Sequence, residues 1–555
     1  MTTFEDAKSN FRYEEFRPHQ LNVLCKIAEA LDSGTDAILL NAPTGFGKTV
    51  VLDAIASTFK DAFYVVTLKS LEEQVEREFK DYAKVHGRNN YDCIRNPIAK
   101  CDVGICQLLE YKCRKECKQE KCTKDAECPY ELAKNKAKDA HTALANIWYY
   151  YKSNVDGDMF GKRDILILDE AHLLPELLVN FNTIELSESL LNPNKYRKGF
   201  NRINFNLWDE VSHKYIDAFN NNTLNDLVED YLDLLGEELI PLRDSKPWLV
   251  EQAGVVESYD INTNLFKWFK QLENTADKLD SIKNDEFVVD QIENTFYNVK
   301  EEAIRFTPLY SKIAARKLFE TGKKVILSSG TLNHELMRKE LGMDGYFENI
   351  IEINVPSTFP VYNRVVNLLR VAQFTKRNQN EVTEGLLRDA INTILNLHIG
   401  QRGIIFFSAY KYVKIVKSLS SRLVFHDKET RNSSFEDWVE DSRIDSVFCG
   451  VNFDEGIDLL DGLARFGIIV KCPFADVSNP RINERVVNRG EREWYSKIAA
   501  QKMVQACGRI VRSPEDYGIM YVLDSSGCAL LNSYAPDWMK EALCWTTLSE
   551  IRNIK

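Results

Sequence analysis

Short apolar runs alternate with amphipathic segments along two stretches of this 555-residue chain. Such alternation is typical of parallel α/β sheets, in which helices cover both faces of the sheet. The runs that we predict to be buried strands are residues 37–40, 63–66, 165–168 and 325–327 in the first stretch, and 403–407, 446–448, 467–470 and 519–523 in the second. The predicted fold class is therefore α/β, with two parallel-sheet lobes and several domains in all.

A long segment inside the first stretch has a different pattern and a different charge. Its apolar residues recur with helical spacing, for example at Leu224, Leu227, Tyr231 and Leu234. Residues 173–305 carry 25 acidic and 13 basic side chains. We therefore predict a helical, acidic insertion over residues 173–305.

The formal net charge of −12 does not exclude a nucleic acid as a partner. The acidic segment accounts for that charge, and residues 93–138 carry 11 basic against 7 acidic side chains. Nucleic acid binding needs a local basic path and not a basic total.

The sequence has no apolar run of the roughly eighteen residues that a membrane helix needs. Its first residues also lack a basic region followed by an apolar stretch. We therefore expect no membrane contact and no secretion, and a location in the cytoplasm or the nucleus. Disulfides are rare in such reducing compartments.

A glycine-rich loop follows the first predicted strand and precedes an apolar helix, as a phosphate-binding loop requires. Glycines let backbone N–H groups turn towards phosphates, and the helix N-terminus adds a favourable dipole. Lys48 would reach the β- and γ-phosphates of ATP, and the hydroxyl of Thr49 would bind Mg²⁺. The loop consists of Ala42, Pro43, Thr44, Gly45, Phe46, Gly47, Lys48 and Thr49.

Two carboxylates, Asp169 and Glu170, follow the third predicted strand. The carboxyl ends of parallel strands face the ligand crevice of an open α/β sheet. Asp169 is therefore predicted to bind Mg²⁺, and Glu170 to activate the water that attacks the γ-phosphate. An acidic strand end alone is often a solvated surface, and the phosphate-binding loop upstream favours the catalytic interpretation.

Gln505, Arg509 and Arg512 are spaced i, i+4 and i+7 near the end of the second stretch. The spacing predicts that they share one helix face. Guanidinium groups suit the charge that develops on a transferring phosphoryl group. Because these residues belong to the second lobe and the loop to the first, closure of the lobes on ATP would complete a catalytic site.

Taken in order, these elements resemble the superfamily 2 helicases, and further motifs narrow the resemblance to the iron–sulfur branch typified by DinG and XPD. The similarity extends over nearly the whole chain. It implies two RecA-like lobes and an ATP-dependent DNA helicase that loads on single strands, moves 5′ to 3′ and unwinds forked DNA in repair or replication. The further motifs are FRPHQ at 16–20, HGRNNYDC at 86–93, CPY at 128–130, SSGTL at 328–332, FP at 359–360 and FDEGID at 453–458.

The resemblance also implies a division of the chain and roles for further residues. Residues 1–92, 129–172 and 306–360 would form the first RecA-like lobe, 93–128 an iron–sulfur insertion, 173–305 a helical arch, and 361–555 the second RecA-like lobe. The implied contacts are Arg17 and Gln20 to the nucleotide base, Glu455 and Asp458 to the second-lobe face of the cleft, and Thr67 and Ser408 to the DNA backbone.

The chain departs from the family pattern in two places. Asp524-Ser525-Ser526 stands where the family has Asp-x-Arg, so one arginine of the pattern is missing. The segment between Asp169 and Ser328 is also short for the family, which implies a reduced arch.

Seven of the thirteen cysteines fall within 36 residues, which in a reducing compartment indicates a metal site. Four thiolates suit either an iron–sulfur cubane or tetrahedral zinc. By the resemblance, a 4Fe–4S cluster would be held by Cys93, Cys117, Cys122 and Cys128, with Cys113 as the nearest substitute. The cluster would stiffen a small basic knob that separates DNA strands.

Four consecutive aromatic residues, Trp148, Tyr149, Tyr150 and Tyr151, follow the cysteine segment. Core packing is the expected role for most of them, and base stacking is the alternative for any one.

Two other functions remain open at this point. One is an RNA helicase or an ATP-driven nucleoprotein remodeller, and the other is a DNA-binding scaffold that does not hydrolyse ATP. The presence of Lys48, Glu170 and both arginines weighs against the scaffold. We expect a monomer that acts with repair or replication proteins on single-stranded and forked DNA.

Overall fold

The computed structural model of the chain describes residues 3–94, 96–103, 128–196, 205–244, 259–282, 286–296, 299–375, 378, 380–451, 459 and 462–553. Each of the two alternating stretches forms a parallel sheet covered by helices. The predicted α/β class with two parallel-sheet lobes is therefore confirmed.

The strands are numbered here in chain order. They are β1 Ala37–Asn41, β2 Ala62–Val66, β3 Ala83–Lys84, β4 Asp92–Cys93, β5 Asn96–Lys100, β6 Thr142–Asn146, β7 Arg163–Asp169, β8 Ile184–Ser187, β9 Phe287–Phe296, β10 Val299–Pro308, β11 Gly322–Ser329, β12 Ile350–Asn354, β13 Val366–Ala372, β14 Gly403–Phe407, β15 Leu423–Phe425, β16 Val447–Val451, β17 Phe466–Ile469, β18 Ile519–Asp524 and β19 Leu543–Trp545.

The α-helices of the first lobe and its insertion precede β11, apart from one that follows it. They are Thr3–Ser9, Gln20–Asp32, Lys48–Ala56, Lys69–Glu78, Pro129–Asp139, Ile147–Tyr150, Leu174–Asn182, Glu188–Leu191, Pro193–Tyr196, Trp208–Asn221, Leu227–Asp244, Tyr259–Ile282, Lys312–Phe319 and His334–Leu341. Those of the second lobe are Glu381–Leu397, Tyr410–Val416, Arg431–Glu440, Pro480–Asn483, Arg492–Cys507, Ser525–Tyr534, Asp537–Lys540 and Leu548–Arg552.

The first sheet orders its described strands as β12-β1-β11-β7-β2-β6-β3, all parallel. β1 lies between β11 and β12, and β7 lies between β11 and β2. Parallel strands end at the same edge, so the loops after β1, β7 and β11 meet there. Two apolar clusters cover the two faces of this sheet, one with Ile38 and Leu40, the other with Leu39 and Leu168.

The second sheet orders its described strands as β15-β16-β14-β17-β18-β13-β19, again all parallel. The predicted strands correspond to β14, β16, β17 and β18 at its centre. The short edge strands β15 and β19 were not predicted, because such strands carry little of the continuous apolar signal that marks a buried strand. β13, which pairs with β18 and β19, was also not predicted.

The insertion at residues 173–305 is not purely helical, which corrects that prediction. Its described helices pack on an antiparallel sheet ordered β8-β10-β9. Ile304 and Phe306 of β10 share an apolar core with Tyr231 and Trp268 of the helices. The helical spacing around Tyr231 correctly predicts a helix there. The residues of β9 and β10 lie outside that stretch, and their period-two pattern indicates strands.

Charged residues join the two lobes on the side of the insertion. Arg485 of the second lobe is completely buried and donates two hydrogen bonds to Glu340 of the first lobe, at 2.8 and 2.6 Å. Lys497 pairs with Glu335 at 2.6 Å. These contacts hold the edge of the first sheet, where the loops after β1, β7 and β11 meet, in a fixed orientation towards the second lobe.

No helix in the described part of the chain is both long enough and apolar enough to cross a membrane.

Candidate functional site

The loop after β1 has the backbone of a phosphate-binding loop. Gly45 and Gly47 have φ values of 82° and 81°, a region that side chains disfavour. Gly47 caps the helix Lys48–Ala56. Phe46 is completely buried in the core beneath, which anchors the loop while its glycines remain at the surface of the cleft. The helix N-terminus therefore points its free N–H groups at the space where phosphates would lie.

Lys48 lies between the loop and the carboxylates. Its Nζ donates to the carbonyl of Ala42 at 3.3 Å and lies 3.5 Å from Oε1 of Glu170. Lys48 and Glu170 lie on different loops, and the sheet order brings them together. The ammonium group thus stands at the end of the strands where a γ-phosphate would need a cation.

Asp169, the last residue of β7, is buried and accepts a hydrogen bond from the hydroxyl of Tyr64 at 3.0 Å. The same hydroxyl is hydrogen-bonded to Thr49. One phenol therefore contacts both residues that were predicted to bind Mg²⁺, which places them close enough to share a cation. Burial, reinforced by the charge of Glu170, raises the pKa of Asp169 to about 6.

Tyr64 was not among the predicted site residues. It lies on β2 and is completely buried, so the sequence around it carries only the signal of a core strand. Its hydroxyl partners are distant in the chain, and only the pairing of β2 with β7 reveals them.

Glu170 is held by two hydrogen-bond partners from the first lobe. Ser329 donates to its Oε2 at 3.0 Å, and Nδ1 of His172 lies 3.1 Å from the same oxygen. Burial alone would raise the pKa of Glu170, but Lys48, His172 and Ser329 outweigh that effect and lower it. The carboxylate is therefore ionised and can accept a hydrogen bond from an attacking water. Its φ of 49° is a strained value for a residue with a side chain.

Arg17 and Gln20 contact the backbone of the phosphate-binding loop. Arg17 donates to the carbonyl of Gly45 at 3.1 Å, and Gln20 donates to those of Phe46 and Gly47 at 2.8 and 3.4 Å. Both side chains line the cleft. Their predicted contact with the base stays a prediction.

These groups line a cleft of about 1120 Å³ whose walls come from both lobes. The first lobe contributes the loop, Asp169 and Glu170, and the second contributes Gln505, Arg509 and Arg512. The amide of Gln505 donates to the hydroxyl of Thr331 across the cleft at 3.4 Å.

The prediction that Gln505, Arg509 and Arg512 lie on one helix is wrong. The helix ends at Cys507, with Gly508 at its C-cap, so Arg509 and Arg512 lie in the following turn and loop. Ile510 and Val511 are buried in the lobe core, which draws the chain away from the helix axis. Both arginines still face the cleft, because the loop turns back towards it.

Two of the predicted nucleotide contacts, Glu455 and Asp458, lie outside the described residues. The two predicted DNA contacts are described. Thr67 is buried and donates to the carbonyl of Glu170 at 3.4 Å. Ser408 follows β14, and its buried hydroxyl has no hydrogen-bond partner among the described residues.

Of the predicted cluster ligands, Cys93 and Cys128 are described, and Cys117 and Cys122 lie outside the described residues. Cys93 and Cys128 belong to one small cluster that also contains Tyr130. Cys101, which is not in the predicted ligand set, joins this cluster with its Sγ 3.9 Å from that of Cys128. In the described ranges no group of three or more His, Cys, Asp or Glu side chains is arranged to hold a metal ion.

The four consecutive aromatic residues, 148–151, differ in burial. Tyr150 and Tyr151 are buried in the core of the first lobe, while Trp148 is 52 % exposed and packs edge-on against Phe181. The hydroxyl of Tyr149 contacts that of Tyr130 at 3.2 Å. Trp148 is thus the member of the four with the most surface available for a base.

Two family models match the chain. A "Helicase C-terminal domain" model covers residues 391–542, and a "Type III restriction enzyme, res subunit" model covers residues 13–198. The first match contains the arginine segment, and the second contains the phosphate-binding loop and both carboxylates.

Relatives with curated names match over long spans. A protein of Methanocaldococcus jannaschii named "Probable ATP-dependent helicase" is 23 % identical, over 93 % of this chain and 92 % of its own. The "3'-5' exonuclease DinG" of Staphylococcus aureus is 22 % identical over 75 % of this chain, and the match spans about half, 52 %, of that longer protein.

Solved structures share the fold. One titled XPD helicase superposes with a TM-score of 0.60 at 17 % identity, over 96 % of this chain and 100 % of the other. Xpd4 of S. tokodaii gives a TM-score of 0.53 at 14 % identity, over 96 % and 100 %. Together with the two-lobed cleft, these matches support the assignment of the chain as a helicase similar to the DinG/XPD type and show that it is an ATP-hydrolysing enzyme.

Proposed function

We propose that the chain is a DNA helicase that translocates 5′ to 3′ along single-stranded DNA and unwinds forked duplexes in repair or replication. The observation that carries the proposal is the cleft, in which the first lobe supplies the phosphate loop and carboxylates and the second supplies two arginines. A site completed from two lobes couples hydrolysis to their relative motion. DNA as the substrate and the direction of movement are supported by the resemblance to the DinG/XPD branch.

In this mechanism each described residue has a separate task. Backbone N–H groups at the start of the helix Lys48–Ala56 hold the phosphates, and Lys48 neutralises the γ-phosphate. Glu170, ionised and fixed by Ser329 and His172, orients the attacking water. Arg509 and Arg512 would stabilise the charge that develops on the transferring phosphoryl group.

Thr49 and Asp169 are suited to hold Mg²⁺, since a hydroxyl and a carboxylate are the oxygen ligands that this ion prefers. Both contact the hydroxyl of Tyr64, so one cation could reach both. When bound, the ion would neutralise charge on the ATP phosphates.

The proposed metal centre of the cysteine segment is a 4Fe–4S cluster held by Cys93, Cys117, Cys122 and Cys128. Its support is the family spacing, together with the convergence of Cys93 and Cys128 on one cluster of side chains. Cys93 and Cys128 do not line the nucleotide cleft, so the proposed task of the cluster is to stiffen the knob that splits the duplex. The insertion at residues 173–305 is proposed to be the arch beside the DNA path.

The test compares single-stranded DNA with RNA of the same sequence as activators of ATP hydrolysis, and forked duplexes with a 5′ or a 3′ single-stranded tail as substrates. We expect stronger stimulation by DNA, unwinding of the 5′-tailed fork, and a logarithm of affinity that falls linearly with the logarithm of salt concentration. Preferential stimulation by RNA would make the chain an RNA helicase. ATP hydrolysis that neither DNA nor RNA stimulates would indicate a remodeller triggered by a protein.

A further inference from the structure

Phe359 lies on the linker between the lobes, after β12 of the first and before β13 of the second. It is 6 % exposed. Its ring edge lies directly against the phosphate-binding loop: a methyl group built on Gly45 would be 2.2 Å from Cζ and 2.6 Å from Cε1 of the ring. Gly45 can therefore hold no side chain, both because of its φ of 82° and because of this ring.

The same ring belongs to the core of the second lobe. It packs in one apolar cluster with Val504, Cys507 and Val511. These three residues flank Gln505 and the arginines in the chain, so the segment that lines the cleft from the second lobe rests on the core that contains Phe359.

The linker around Phe359 is fixed to the second lobe. Arg364 donates to the carbonyl of Phe359 at 3.1 Å and to that of Trp538 at 2.5 Å, and it also pairs with Glu541. The ring therefore moves with the second lobe, although it touches the first.

Gly45 receives contacts from Arg17 and from Phe359. Its carbonyl accepts a hydrogen bond from Arg17, which lines the nucleotide cleft, at 3.1 Å, and its Cα faces the ring of Phe359, which lines a separate small cavity. Packing this close transmits small displacements, because interiors are as dense as molecular crystals. A cavity of about 30 Å³ beside the ring, lined by Pro43, Thr44 and Val511, gives the ring room to shift.

We propose that Phe359 is a positioning residue that couples the state of the phosphate-binding loop to the placement of Arg509 and Arg512. A loop that adjusts to bound phosphates displaces Gly45, Gly45 displaces the ring, and the ring displaces the core on which the arginine segment rests. This inference rests on the proposed role of the two arginines in hydrolysis.

The test is Phe359→Leu, which keeps an apolar side chain but removes the ring edge from Gly45. We expect ADP affinity close to that of the wild type and a kcat for ATP hydrolysis lower by about fivefold or more, the lower end of typical coupling between sites. Phe374→Leu is the matched control, since Phe374 is 5 % exposed in the same lobe but belongs to the core on the other face of its sheet. It should retain kcat. If Phe359→Leu does not fold, Phe359→Met is measured with the same expectations.

Three results would overturn the inference: wild-type kcat in Phe359→Leu, equal losses in Phe359→Leu and Phe374→Leu, or a loss of ADP affinity that accounts for the whole loss of kcat/KM. Arg509→Ala separates this inference from the proposed function. Normal kcat in Arg509→Ala would remove the arginine from hydrolysis. Reduced kcat in Arg509→Ala beside normal kcat in Phe359→Leu would leave the mechanism standing and remove only the coupling through the ring.

Discussion

Individual side chains in the cleft act through partners that are far away in the chain. Glu170 depends on Ser329, 159 residues further on, and Asp169 depends on Tyr64, 105 residues earlier. Each partner lies on a neighbouring strand of the first sheet, so the sheet order sets the chemistry of the site as much as the residue types do.

Lys48→Ala should lower kcat for ATP hydrolysis by about 10²-fold or more, the cost of removing one well-placed electrostatic group. The ammonium lies 3.5 Å from the Glu170 carboxylate. Hydrolysis is measured in steady state, and circular dichroism checks that the fold persists. Lys60 is exposed, and Lys60→Ala is the control, which should hydrolyse ATP at the wild-type rate. Wild-type hydrolysis in Lys48→Ala would remove this lysine from the mechanism.

Tyr64→Phe should raise the Mg²⁺ concentration needed for half-maximal hydrolysis by about 10- to 100-fold, as is usual when a hydrogen-bond partner of metal ligands is lost. The variant removes the hydroxyl that contacts Thr49 and Asp169 while keeping the buried ring. A Mg²⁺ titration of the ATPase measures the effect.

Tyr82→Phe is the matched control for Tyr64→Phe, because Tyr82 is also buried in the first lobe but donates to Asp53 at 2.8 Å. It should keep the wild-type Mg²⁺ dependence. An unchanged dependence in Tyr64→Phe as well would show that Tyr64 does not position the ligands.

At the scale of elements, the segment of residues 480–489 joins the second lobe to the first lobe and its insertion through a row of arginines. Arg481 pairs with Glu176 at 3.1 Å, Arg485 with Glu340 at 2.6 Å, and Arg489 with Glu286. The spacing of four residues puts all three on one face of the segment. Burial differs along the row, since Arg485 and Glu340 are 0 and 1 % exposed and Glu286 is 59 % exposed.

Arg485→Met should destabilise the protein by about 3–5 kcal/mol, because it leaves the buried Glu340 carboxylate without its partner. Arg489→Met should cost about 1 kcal/mol or less, since its partner is exposed to solvent. Urea unfolding followed by circular dichroism measures both. Equal midpoints for the two variants would show that burial does not distinguish these pairs.

At the scale of the whole molecule, the nucleotide site of the motor lobes and the cysteine cluster lie in separate regions. Lys48 and Glu170 lie at the edge of the first sheet, while Cys93 and Cys128 lie in a small cluster beyond β3 with the antiparallel pair β4–β5. Loss of one part should therefore leave the other partly active.

Cys122→Ser should lose iron and duplex unwinding in anaerobically prepared protein, while the lobes stay folded and part of the DNA-stimulated ATPase survives. The reason is that a cubane needs one thiolate for each iron. Iron content, the absorption spectrum and a forked-DNA assay measure the effect. By the proposed ligand set, Cys101→Ser and Cys106→Ser should keep their iron.

The position of Cys101 makes that control decisive, since its Sγ lies 3.9 Å from that of Cys128. Loss of iron in Cys101→Ser with normal iron in Cys122→Ser would replace the ligand set and leave the helicase assignment untouched. Zinc without iron in the wild type would overturn the identity of the cluster.

The sequence by itself determined the two lobes and the core of the nucleotide site. Buried parallel strands are continuous apolar runs, and a phosphate-binding loop is a local structure with glycines at fixed positions in the sequence. Both can therefore be recognised from the sequence alone. Asp169 and Glu170 belong with Lys48 because each follows a strand of the same parallel sheet, a placement that the topology of such sheets already implies.

The tertiary structure decided what depends on contacts between distant segments. The hydroxyl of Tyr64, the ring of Phe359 against Gly45 and the thiol of Cys101 beside Cys128 all have their partners elsewhere in the chain. The spacing of Gln505, Arg509 and Arg512 fits a helix, yet burial of Ile510 and Val511 ends it at Cys507. Packing outweighs local propensity here, because burying two large apolar side chains contributes more free energy than continuing one helical turn.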